Sequence, residues 1–200
     1  MAKDAYPQIA KLAKQQDILR PRDVVAAGLA RRCLYEMVAQ GKLKRLDRGL
    51  YTLPGRELGE HGTWAEAAKR VPRGVICLVS ALQFHGLTTQ MMPELQVAIK
   101  GASWRPRLRY PPLQVFRFTG QAFTHGVEEH AVGGVKVRVY SPAKTVADCF
   151  KFRHKLGLDV ALEALREVRR AKRATADELW AACQACRVAR AIRPYMEALA

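Results

Sequence analysis

The chain has 200 residues, 49% of them apolar, and carries 34 Lys and Arg against 18 Asp and Glu, a formal net charge of +16. That apolar share supplies a core for one large or two small domains and excludes a disordered chain, while the charge points to polyanionic partners: DNA, RNA or an anionic membrane surface. No apolar run approaches the roughly 20 residues needed to cross a bilayer, and Met1 to Gln16 is amphipathic and of mixed charge, without a secretory core. The five cysteines are odd in number and sit mostly in apolar contexts, as in Gly74-Val75-Ile76-Cys77-Leu78-Val79. The expectation is a cytoplasmic protein with reduced, buried thiols and no disulfide framework.

Ile9, Leu12 and Ala13 mark one face of a first helix, and Pro21 reopens the chain at a helix-starting position for a short second helix from Arg22 to Ala27. Gly28 supplies a tight turn, after which Leu34, Met37 and Val38 recur at helical spacing until Gly41. Two helices about a glycine turn make a helix-turn-helix pattern. Leu43, Leu46 and Leu50-Tyr51-Thr52-Leu53 then read as two short strands around a charged turn, a wing. In such folds the second helix enters the major groove, and the wing and flanking cations meet phosphates. The expected DNA-contacting residues are therefore Arg20, Arg22, Arg31, Arg32, Tyr35, Lys42, Lys44, Arg45 and Arg48, with Glu36 also on the exposed face of the reading helix. Arg grips guanine bidentately, and Tyr contacts a phosphate or a methyl group. The plainer alternative is a solvated basic helix in a protein-binding module.

From Arg56 to Gly62 apolar periodicity lapses, which predicts a linker, a first domain over 1–57 and a second over 58–200. His61 to Lys69 reads as a helix, and Val75 to Phe84 as a buried helix or a strand running into one. Leu95–Ile99, Leu113–Phe118 and Val135–Tyr140 alternate as half-buried strands, implying a small antiparallel sheet. Ser141-Pro142 opens a helix, and Thr175-Ala176-Asp177-Glu178 has the form of a capping box within a helical C-terminal part. The predicted class is α+β: an N-terminal winged helix-turn-helix followed by a mixed α+β domain.

Three blocks resemble the AbiEi-type antitoxins of bacterial type IV toxin–antitoxin systems. They are Arg48-Gly49-Leu50-Tyr51-Thr52-Leu53-Pro54 after the helix-turn-helix; Pro72 to Leu82 with Phe84-His85-Gly86-Leu87-Thr88-Thr89-Gln90; and, most specific, Tyr140-Ser141-Pro142-Ala143-Lys144-Thr145-Val146-Ala147-Asp148-Cys149-Phe150-Lys151-Phe152-Arg153. The resemblance covers nearly the whole chain. It implies an autorepressor whose winged helix binds inverted repeats in its own promoter, with Arg31, Arg32, Lys44, Arg45 and Arg48 in the contacting positions. It further implies a C-terminal domain that counters a nucleotidyltransferase-like toxin and assists repression.

Residues 1–56 hold twelve basic and five acidic side chains, so the remainder is basic as well. A second basic surface is expected from Arg105, Arg107, Arg109, Lys144, Lys151 and Arg153, the first three beside Trp104 and Tyr110. Arg166, Arg169, Arg170, Lys172 and Arg173 crowd one helix end, where they either touch DNA or complement the helix dipole. No catalytic, metal or cofactor site is expected. Asp148 with Lys144 and Lys151 lacks the clustered carboxylates of a metal-dependent nuclease, and Cys183-x-x-Cys186 lacks the second ligand pair that closes a zinc site. His85 reads as structural, and His125, Glu128, Glu129 and His130 as a solvent-facing turn and strand edge. The alternative kept beside the antitoxin reading is a winged-helix-targeted nuclease or nucleotide-processing enzyme.

Overall fold

A computed structural model of the chain describes residues 2–56, 62–103, 105–106, 108 and 111–198. Contacts gather the chain into two compact units, 1–72 with 131–137, and 73–130 with 138–200. The linker expected near residue 58 falls within 57–61, outside the described residues, and the first unit runs past it to Pro72.

The first unit begins with α1 (Ala2–Gln15), α2 (Pro21–Ala26) and α3 (Arg32–Ala39), continues into an antiparallel ribbon of β1 (Lys44–Asp47) and β2 (Leu50–Thr52), and adds α4 (Gly62–Arg70). Pro21 occupies the first turn of α2, where a missing N–H is harmless, and the Asp23 carboxylate accepts the Arg20 N–H at 2.9 Å. Gly28 sits at φ +76°, in the left-handed region that an L side chain resists, so the chain can turn sharply ahead of α3. Ile9 and Ala13, Val24, then Cys33, Leu34 and Met37 bring one face of each helix into a common core with Leu43 and Tyr51. Leu19 and Tyr51 exchange backbone hydrogen bonds of 2.8 and 3.0 Å, tying the start of α2 to the ribbon. Three helices followed by a small ribbon are compatible with a winged helix-turn-helix.

Charged groups hold α4 in this unit. Lys69 Nζ lies 2.6 Å from the Asp23 carboxylate and donates to Gln16 Oε1 at 2.7 Å, while Arg70 reaches both Glu66, at 2.9 Å, and Asp47. Gly133, in the 131–137 segment, accepts the Asp17 N–H at 2.8 Å.

The remaining elements are β3 (Val75–Ile76), α5 (Leu78–Phe84), β4 (Leu95–Lys100), β5 (Leu113–Phe118), α6 (Gln121–Thr124), β6 (Val127–Val132), β7 (Val135–Tyr140), α7 (Pro142–Lys151), α8 (Arg153–Leu156), α9 (Leu158–Arg170), α10 (Ala176–Cys186) and α11 (Ala189–Ala198). Their sheet is five-stranded and mixed, in the order β5-β4-β3-β7-β6, with β3 antiparallel to β4 but parallel to β7, and β4 parallel to β5. It is larger than the small antiparallel sheet that alternation suggests. The reason lies in the ambiguous stretch from Val75 to Phe84, which is both things at once: a short central strand that joins the outer pairs, then the buried helix α5. Ser141 Oγ caps α7 by accepting the Lys144 N–H, and Thr175 and Glu178 close a capping box on α10. Phe116, Phe118, Tyr140, Val146, Phe150, Leu165 and Leu179 join sheet and helices in one core.

Candidate nucleic-acid interface

Helix α3 has two clearly different faces. Cys33, Leu34 and Met37 are buried, so the 3.6-residue period turns Arg31, Arg32 and Tyr35 to solvent, with Tyr35 57% exposed. The Tyr35 ring stands edge-on to Tyr51 of β2 at 6.5 Å, which links the exposed face of α3 to the ribbon. Glu36 leaves that face: its carboxylate accepts a 2.7 Å hydrogen bond from the Tyr6 hydroxyl of α1. The exposed surface of α3 is thereby cationic and aromatic.

The ribbon adds cations beside it. Lys42, Lys44, Arg45 and Arg48 are all exposed, and Lys42 lies over the Tyr6 ring at 5.2 Å. Gly49, at φ +75°, makes the turn, and Asp47 locks it by accepting the Arg48 N–H at 2.6 Å. That hydrogen bond, together with Arg70, holds the Asp47 carboxyl below its ordinary range. The one acidic side chain of β1 is thus paired, whereas the ribbon's cations face outward. Arg22 is exposed at the start of α2.

Arg20 behaves differently from its neighbours. Its side chain is 15% exposed, and its guanidinium donates to the Lys69 carbonyl beside Asp23. It serves the α2–α4 contact and stays out of the outward-facing set. Neither Lys69 nor Arg70 is legible as a structural anchor from sequence, since both sit in a basic helix end that reads as solvated.

Among the described residues of the expected second basic surface, Lys144 is withdrawn from it. Lys144 is fully buried, which corrects its assignment to that basic surface. Its ammonium lies 2.6 Å from both oxygens of Asp148, one helical turn on, with the Tyr140 ring at 3.9 Å and the Phe118 ring at 4.8 Å. A charge with no water finds its partners inside. Lys151 and Arg153 are half-buried and donate to backbone carbonyls, Lys151 to Cys186 at 3.2 Å and Arg153 to Phe150 at 2.9 Å. Arg105 is exposed; Arg107 and Arg109, with Trp104 and Tyr110, lie outside the described residues.

Asp148, Cys183, Cys186 and His85 of the second unit are embedded rather than displayed. Asp148 is wholly buried, and burial pushes its carboxyl up to about 6 against the opposing pull of Lys144. Cys183 and Cys186 are buried thiols pushed up to about 12, first by burial and then by the Asp148 charge. His85 shares a 2.8 Å hydrogen bond with the Tyr140 carbonyl, and burial lowers its pKa. His130 contacts Glu128 at 3.0 Å and packs edge-on against Phe84. Among the described residues, no three His, Cys, Asp or Glu side chains come together as a metal site, and no helix is long and apolar enough to cross a membrane.

Residues 7–54 match the model of a family described as transcriptional regulator, AbiEi antitoxin. The matched segment runs from α1 through β2 and contains the exposed face of α3 and the ribbon. The matched segment contains the first of the three resembling blocks, Arg48 to Pro54, and supports a transcriptional regulator or antitoxin role. No curated protein matches the chain.

Proposed function

From that match over residues 7–54 we propose that the protein is a DNA-binding antitoxin that represses its own operon, working in the cytoplasm and without catalysis. Helix α3 enters the major groove of inverted repeats in the promoter, with Arg31 and Arg32 on base edges, Tyr35 at a phosphate or methyl group, and Arg22, Lys42, Lys44, Arg45 and Arg48 along the backbone. The domain expected over 58–200 counters a nucleotidyltransferase-like toxin. The observation that carries the reading is the face of α3: Arg31, Arg32 and Tyr35 project outward together, backed by buried Cys33, Leu34 and Met37, with the ribbon's exposed cations beside them. The rival nuclease reading rests on Asp148, which is buried and already paired with Lys144.

A gel-shift titration against the upstream region, with a scrambled duplex as competitor, tests this. Selective shifts are expected, and Arg31→Ala and Arg32→Ala each weaken them about 5- to 150-fold, the roughly 1–3 kcal/mol of a bidentate base contact, while the fold is retained. Unselective binding by the wild type, or unchanged selective binding by both variants, removes α3 from this role.

A further inference from the structure

A cavity of about 740 Å³ opens where the end of α9, the start of α10 and α11 converge. Its size falls within the roughly 300–1,000 Å³ of small-molecule pockets. Leu179, Trp180 and Met196 give it an apolar wall, and Arg169, Lys172, Arg173 and Arg193 line its rim. The two rim carboxylates are already engaged. Glu178 accepts the Thr175 N–H at 2.7 Å in the capping box, and Glu197 accepts from Arg193 Nε at 2.9 Å. Arg169 reaches the Met196 carbonyl at 3.5 Å, and Lys172 and Arg173 have no carboxylate partner among the described residues. An excess of positive charge therefore borders an apolar wall containing an indole and a thioether, both suited to an aromatic ring. The first turn of α10 contributes little to anion binding, because Thr175 and Glu178 satisfy each other there.

We propose that this cavity is a binding site for a small aromatic anion, with the ring against Trp180 and Met196 and the acidic head held by Lys172 and Arg173. The site shares no residue with the proposed DNA-reading set and does not depend on that reading. The test is a fluorescence titration of the full chain with 8-anilinonaphthalene-1-sulfonate and, in parallel, with its uncharged counterpart N-phenyl-1-naphthylamine.

The wild type binds the sulfonate saturably at one site per chain, at least tenfold more tightly than the uncharged probe. Lys172→Glu combined with Arg173→Glu, both on exposed side chains, weakens the sulfonate at least tenfold and leaves the uncharged probe unchanged. Trp180→Ala weakens both probes, and Trp180→Phe restores them. Melting temperatures establish that each variant is folded. No saturable binding by the wild type, equal affinity for the two probes, or sulfonate binding that survives the charge reversal overturns the proposal.

Discussion

Lys144 and Asp148 show how far local context decides what a charge does. The pair is wholly buried, the ammonium faces two aromatic rings, and Cys186 Sγ donates to the carboxylate at 3.4 Å. Removing one partner strands the other without water, so Lys144→Met destabilises the fold by about 3–5 kcal/mol, whereas Lys144→Met with Asp148→Leu recovers much of that loss. Urea unfolding of the two variants checks the difference; equal losses would show that the pair carries no coupling. The sign of the pH effect follows from the raised carboxyl. Its unfolded value is 3.8 and its folded value about 6, so between them the folded state holds a proton that the unfolded state has lost. The contribution is complete below the unfolded value and is lost as pH rises through 6. Asp148→Asn carries no such proton, so wild-type stability measured relative to this variant falls between about pH 4 and 6 and levels off above.

At the scale of elements, the faces of α3 were legible because a single period governs them: Leu34 and Met37 predicted the buried side and, by difference, Arg31, Arg32 and Tyr35 as the exposed one. Lys144 was misread because Lys and Asp at i and i+4 usually mark a solvated face. The pattern gave no contrary signal: Val146, Ala147, Cys149 and Phe150 fall on one face of α7 and Lys144, Asp148 and Lys151 on the other, as on a surface helix, and only tertiary packing buries the charged pair. Nothing in the sequence reveals that α4 belongs with the first unit, because the ion pairs of Lys69 with Asp23 and of Arg70 with Asp47 join residues far apart in the chain. Those contacts make a prediction. Lys69 is 6% exposed, and Lys69→Met removes the 2.6 Å partner of Asp23, whose remaining cations, Arg20 and Arg22, stand at 4.0 and 3.8 Å, and takes from Gln16 its 2.7 Å donor, lowering unfolding stability by about 1–3 kcal/mol. Arg32→Ala, on an open surface, changes it by less than about 0.5 kcal/mol. Denaturant midpoints decide, and equal midpoints would remove α4 from its bracing role.

Across the whole molecule, a net charge of +16 favours a polyanionic partner but does not say how much of it would touch the proposed DNA. Burial reduces the count. Lys144 is paired inside, Lys151 and Arg153 serve backbone carbonyls, and Arg20 serves Lys69, while Arg22, Arg31, Arg32, Lys42, Lys44, Arg45 and Arg48 remain outward in the first unit. Each phosphate neutralised on duplex DNA contributes about −0.9 to the slope of log affinity against log salt, so seven cations set a limit near −6 per bound copy. If these seven side chains alone make the contacts, binding to a single half-site shows a slope no steeper than that. Arg48→Ala lowers it by about 1 without altering base preference, and Lys151→Ala leaves it unchanged. A steeper wild-type slope would require cations beyond these seven, with Lys11 and Lys14 of the first unit also exposed, and a slope that falls with Lys151→Ala would place a phosphate contact on the second unit.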